Sequence, residues 1–134
     1  MKTNLAKAPL YEIDNLSCSG GESYFFFLNK KDKVRIAFWN LNSEKGTIIL
    51  QSGRTEFIEK YYEVISEFVN RGYAVAMMDW RGQGLSSRKT KNNKIGHIDT
   101  FETYDKDLVK VIDECFKLIC PEPFIGFGHS MGGC

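Results

Sequence analysis

Gly128-His129-Ser130-Met131-Gly132 is the stretch of this chain whose residue types and spacing could do chemistry. It follows the apolar run Phe124-Ile125-Gly126-Phe127, so a buried strand would deliver Ser130 onto a tight turn that leads into a helix. The backbone of such a turn is strained, and side chains two residues to either side of the serine would collide with the neighbouring strand and helix. Gly128 and Gly132 are therefore the residues such an elbow requires. Ser130 becomes a candidate nucleophile. A serine hydroxyl is weak in that role until a base lies within hydrogen-bond reach, and acyl transfer through it needs N–H donors aimed at the oxyanion of the tetrahedral intermediate. The backbone N–H of Met131 is expected to be one of them. A glycine-bearing loop between a strand and a helix would show the same five residues, so the flanking sequence has to decide.

The elements that must position this stretch alternate along the chain. Tyr24 to Leu28 and Val34 to Trp39 read as two strands separated by the polar turn Asn29-Lys30-Lys31-Asp32-Lys33, and Thr47 to Leu50 as a short buried strand. From Phe57 the apolar residues recur at Tyr61, Ile65 and Phe68, widened by Ile58, Tyr62 and Val69, and Asn70-Arg71-Gly72 supplies a stop. That is an amphipathic helix. Tyr73 to Asp79 is a further strand, followed by a polar loop from Trp80 to His97. A second helix opens on Asp99 and Glu102 as a capping box and carries Phe101, Tyr104, Leu108, Ile112, Cys115 and Ile119 on one face, before Pro121 and Pro123 end it. The pattern predicts an α/β fold: an antiparallel pair, then parallel strands with helices on both faces, in a single domain over residues 1–134.

Composition narrows the function classes. With 43% apolar and 13% aromatic residues the chain is outside the disordered and fibrous classes. A net charge of +1, with lysines and arginines interleaved among acids, leaves no footprint for nucleic acid. Cys18, Cys115, Cys120 and Cys134 lack C-x-x-C spacing and histidine partners, which fits reduced thiols in a cytoplasmic protein better than a disulfide framework or a metal site. The first ten residues have lysines but no apolar core of a signal peptide, and no run is long enough to span a membrane.

Taken together, the element order, the G-x-S-x-G after the fifth strand, and the segments Ser52-Gly53-Arg54-Thr55-Glu56-Phe57-Ile58-Glu59-Lys60-Tyr61 and Asp79-Trp80-Arg81-Gly82-Gln83-Gly84-Leu85-Ser86 resemble the α/β-hydrolases. Within them the chain is similar to the lysophospholipase and monoacylglycerol lipase group, also described as serine aminopeptidase S33-like. The likeness runs from about Tyr24 to Cys134. It implies the N-terminal half of an α/β-hydrolase fold, an incomplete domain that stops after the fifth strand without the lid and C-terminal half. It also implies hydrolysis of a small lipid or ester substrate, transient contact with the inner face of a membrane, and no cofactor or metal. In the family, the loop after the third strand supplies the second oxyanion donor, usually from a His-Gly-x sequence; by position the donor here is the N–H of Arg54, with Ser52 standing where the family has histidine. That departure leaves backbone donation intact. The Asp79 to Ser86 segment reads as architectural, with Asp79 accepting N–H bonds of its own turn. Asp79 is not the expected catalytic acid, which in this family follows the elbow.

Two histidines are present, and neither is a credible base. His129 diverges from Ser130 on the elbow, and His97 suits a hydrogen bond at the entry to the second helix. Without a later histidine the hydroxyl stays unactivated, and removal of triad members leaves at most about 10³ to 10⁴ over water. Residues 1–134 are thus expected to be catalytically incomplete. They are also expected to be poorly soluble alone, because the last strand becomes an open apolar edge. Two other readings stay open. One is a non-catalytic binding fragment. The other is a nucleotide-binding α/β module, suggested by Gly82-x-Gly84-x-Ser86 and Gly126-x-Gly128.

Overall fold

Alternation along the strands sorts the interior into two layers on either side of one sheet. The computed structural model describes residues 5–12, 18–53, 56–80, 83–87 and 101–128. The strands are β1 (Leu5–Lys7), β2 (Glu22–Phe27), β3 (Lys33–Trp39), β4 (Thr47–Gln51), β5 (Ala74–Met78) and β6 (Phe124–Gly128). They form one sheet in the order β1-β2-β3-β5-β4-β6. Pairing is antiparallel from β1 through β3 to β5, then parallel from β5 to β4 to β6. The antiparallel start and parallel continuation agree with the sequence pattern. Strand β1 was not anticipated, because three residues are too few to show a period of two; it exists by pairing with Tyr24, Phe25 and Phe26.

The connection from β4 to β5 runs through a 3-10 turn (Ile58–Tyr61) and helix α1 (Tyr62–Asn70). Ile58, Tyr61, Tyr62 and Ile65 are buried against Ala37, Trp39, Ile48, Leu50, Val75 and Met77. The other face of the same strands, Ile36, Phe38, Ile49, Ala76 and Met78, is covered by Val111, Cys115 and Phe116 from the second crossover. Burial of each such large apolar side chain contributes about 1.5–3 kcal/mol.

That second crossover departs from the expected helix in one respect. It consists of α2 (Phe101–Val111), a π-helical turn (Ile112–Phe116) and a last short turn α3 (Lys117–Ile119). An i→i+5 turn holds one residue more than an α-helical turn, so the apolar face rotates within it. Val111, Cys115 and Phe116 are buried, whereas Leu108, Ile112 and Ile119 of the expected stripe are only partly covered. Phe116 meets Phe38 edge to face at 5.5 Å. Asp99 and the side chains of Phe101, Glu102 and Tyr104 lie outside the described residues. Cys18, Cys115 and Cys120 are free thiols, and burial pushes the thiols of Cys115 and Cys120 up to about 12.

Strand β6 is the edge of the sheet among the described residues. Ile125 and Phe127 are 40% and 46% exposed, and Phe127 packs edge to face on Phe68 of α1 at 5.2 Å. No helix among the described residues is long and apolar enough to cross a membrane.

The π-helical register makes a testable distinction between two neighbouring apolar residues. Phe116→Ala is expected to cost about 3–5 kcal/mol in urea unfolding, and Leu118→Ala, at a surface position, less than about 0.5 kcal/mol. Comparable losses for the two would contradict this register.

Candidate active site

The parallel registers bring three strand ends level. Gln51 stands opposite Met78 on one side and Gly128 on the other, so the segments following β4, β5 and β6 leave from the same edge of the sheet. The crossover after β4 passes over one face and that after β5 over the opposite face. Divergence of this kind opens a crevice at the carboxyl ends of the strands. Of the residues the sequence nominated, Gly128 is the last residue of β6. Ser130, Met131, Gly132 and Arg54 lie outside the described residues, as do His97 and His129. What the structure brings together is Gly128, two residues before Ser130, and Gln51, three residues before Arg54.

Around Gly53 the backbone is held by side chains. Glu56 Oε1 accepts the Gly53 N–H at 2.7 Å and also the hydroxyl of Tyr61. Burial, together with the Glu56 carboxylate, pushes the Tyr61 phenol up to about 12, so it stays a donor at neutral pH. Trp80 Nε1 donates to the Ser52 carbonyl at 2.9 Å. Gln83 Nε2 donates to the carbonyls of Gly53 and Glu56, each at 3.3 Å. Ser52, the departure from the family's histidine, is fully buried and its hydroxyl has no partner among the described residues. Such a group costs about 1–3 kcal/mol.

Beneath this loop lies a buried group of charges that the sequence reading missed. Arg35, in the middle of β3, is 1% exposed. Its Nη1 and Nη2 make a fork onto Glu59 of the 3-10 turn, and its Nε donates to Asp79 Oδ2 at 2.8 Å. Nη1 also donates to the Pro9 carbonyl at 2.9 Å, and Tyr11 N–H donates to Glu59 at 3.0 Å. Burial opposes ionisation of Glu59, but the Arg35 fork and the Tyr11 N–H outweigh it and hold its pKa below the ordinary value. In Asp79 burial prevails and raises the pKa, against Arg35 and two backbone N–H groups. The signal for this group was available: a lone arginine inside the apolar run Val34-Arg35-Ile36-Ala37-Phe38-Trp39 needs a buried counter-charge.

Asp79 has the architectural role expected of it. Its oxygens accept the N–H groups of Leu85 at 3.0 Å and Ile58 at 2.9 Å in addition to Arg35. Gly84 sits at φ +53°, and a Cβ there would lie 2.2 Å from the Asp79 carboxyl carbon. This glycine is used to pack backbone against a carboxylate, an unsuitable wall for a phosphate, and the nucleotide-binding reading gains no support from it. Arg81 and Gly82 lie outside the described residues.

A sheet of this order with helices on both faces is an α/β-hydrolase fold. A soluble variant of monoglyceride lipase from Saccharomyces cerevisiae shares it with TM-score 0.65 and 23% identity over 84% of this chain and 35% of that one. The family model described as serine aminopeptidase, S33 matches residues 42–134, and the chain belongs to that family. It is 32% identical over 110 residues to a probable lysophospholipase L2 of Haemophilus influenzae, covering 79% of this chain and 34% of that protein. To lysophospholipase L2 of Escherichia coli it is 29% identical over 103 residues, covering 75% of this chain and 29% of that protein. The chain thus spans about a third of the length of the curated relatives it matches.

The depressed pKa of Glu59 fixes the sign of a pH effect. Its ionised form adds stability above the unfolded-state pKa, and that contribution is lost as pH falls through the lower folded-state value. Asp79, shifted upward, acts in the opposite sense, so the two are separated by comparison with a variant. Glu59→Gln is expected to be about 3–5 kcal/mol less stable than the parent near pH 7, with the difference shrinking as pH falls below the ordinary carboxylate range. A difference that is constant with pH would show that the charge of Glu59 is not what the site uses.

Proposed function

We propose that this chain carries the nucleophile and oxyanion hole of a serine ester hydrolase of the lysophospholipase or monoglyceride lipase type. The observation that supports this most is the register of β4 with β6, which sets Gln51 beside Gly128 and so starts the Ser52-Gly53-Arg54 and Gly128-His129-Ser130 segments at one edge. Ser130 Oγ attacks the acyl carbon of an ester while a histidine removes its proton. The N–H groups of Met131 and Arg54 receive the developing oxyanion, the alcohol departs with the proton returned by the histidine, and water then hydrolyses the acyl-enzyme by the reverse transfer.

The base is a histidine that follows the elbow in the Ser, acid, His order of such enzymes, since residues 1–134 contain no histidine after Ser130. The domain over residues 1–134 is in this reading the N-terminal part of the catalytic unit, and by itself it is inactive. The likeness to lysophospholipases favours an amphiphilic lipid ester as substrate, taken up during transient contact with a lipid surface.

Fluorophosphonate labelling tests the assignment on two polypeptides. Residues 1–134 alone are expected to stay unlabelled; the same residues in a chain of the relatives' length are expected to label, and to lose the label in Ser130→Ala. A label that survives Ser130→Ala would overturn the nucleophile assignment, and labelling of residues 1–134 alone would overturn the need for a later histidine.

A further inference from the structure

We infer that Gln83 is a positioning residue that sets the orientation of the peptide donating to the oxyanion, an inference that rests on the reading of Arg54 N–H as that donor. A peptide unit is planar and trans, so its carbonyl and its N–H point to opposite sides. The unit joining Ser52 to Gly53 is held at both ends, its carbonyl by Trp80 Nε1 at 2.9 Å and its N–H by Glu56 Oε1 at 2.7 Å. The next unit begins at the Gly53 carbonyl. Gln83 Nε2 holds that carbonyl at 3.3 Å, and the Glu56 N–H approaches it at 3.4 Å. A planar trans unit whose carbonyl is held by Gln83 offers its N–H on the opposite side.

Glycine makes this orientation a matter of choice. Residue 53 has no Cβ to bias its backbone, so rotation of the peptide costs little by itself and would exchange an N–H for a carbonyl oxygen. A carbonyl in that place would repel the oxyanion. Gln83 suits the task because it is only 5% exposed and its own backbone is fixed, its N–H to the Trp80 carbonyl at 2.9 Å and its carbonyl to the Ser86 N–H at 3.0 Å. Ser86 is bonded in turn to β3 through the Arg35 N–H and to the Asp79 carbonyl. The glutamine therefore reaches the loop from a turn attached to the centre of the sheet.

Gln83→Met keeps the length of the side chain without a donor, and Gln83→Glu keeps its shape with an acceptor facing two carbonyls. In the full-length chain both are expected to lower kcat for ester hydrolysis by about 10²–10³-fold, the loss typical of one oxyanion donor, with KM within about threefold of the parent. The ¹³C carbonyl resonance of Gly53 is expected to move upfield in the same variants while resonances of the β3 and β5 amides stay in place. A folded variant of either kind with kcat within about threefold of the parent, in a protein that Ser130→Ala inactivates, overturns the role of Gln83 and leaves the nucleophile assignment intact. If Ser130→Ala retains turnover, the nucleophile assignment fails instead, and an unmoved Gly53 resonance then removes the hold of Gln83 on the loop as well.

Discussion

Placing a guanidinium in the middle of a sheet obliges everything around it to supply negative charge, and the arrangement around Arg35 follows from that constraint. Glu59 and Asp79 answer it from the 3-10 turn and from the end of β5, and the Pro9 carbonyl takes a further donor. Removing such a group from water costs several kcal/mol per ion, so the triad is weak evidence for net stability. Its consequence is geometric. Because Arg35 can be satisfied only when β3, β5, the 3-10 turn and the N-terminal segment are in place together, a bond to each makes their relative position nearly singular.

The loops at the carboxyl edge inherit their order from this centre. Asp79 fixes the 3-10 turn through the Ile58 N–H and its own following turn through the Leu85 N–H. That turn presents Gln83, and the preceding Trp80, to the carbonyls of the loop after β4. Rigidity thus passes from a buried ion group to a glycine-containing backbone with no stiffness of its own. Preorganised N–H donors are worth most to a developing oxyanion when no reorganisation is needed at the moment of reaction. A chain of hydrogen bonds that starts in the sheet is a direct way to meet that requirement.

Legibility in the sequence followed the range of the interaction. The buried strands and the connection formed by the 3-10 turn and α1 were readable, because Ile58, Tyr61, Tyr62 and Ile65 recur at helical spacing and the strand residues alternate between two apolar layers. The second crossover was readable as a helix, and Leu108, Ile112, Cys115 and Ile119 of its predicted face pack on the core; what no local residue pattern announces is the π-helical turn, with Val111 and Phe116 buried beside them. Strand β1 escaped notice because its only reason to be extended is the neighbour it pairs with. Arg35 left a signal in its apolar surroundings, whereas Gln83 left none; its partners are backbone carbonyls 30 and 27 residues away, and any sequence offers carbonyls.

By itself the sequence determined the type and order of the main elements, because helical and strand periods are local properties of a few consecutive residues. It also determined the family, through short segments whose residue types are tied to their turns. Which strand ends lie side by side, which carboxylates answer Arg35, and which side chains hold the backbone around Gly53 were decided only by the tertiary structure. Those depend on pairings between residues some 20 to 80 positions apart, and such pairings form only once burial of both faces of the sheet has fixed where each element sits.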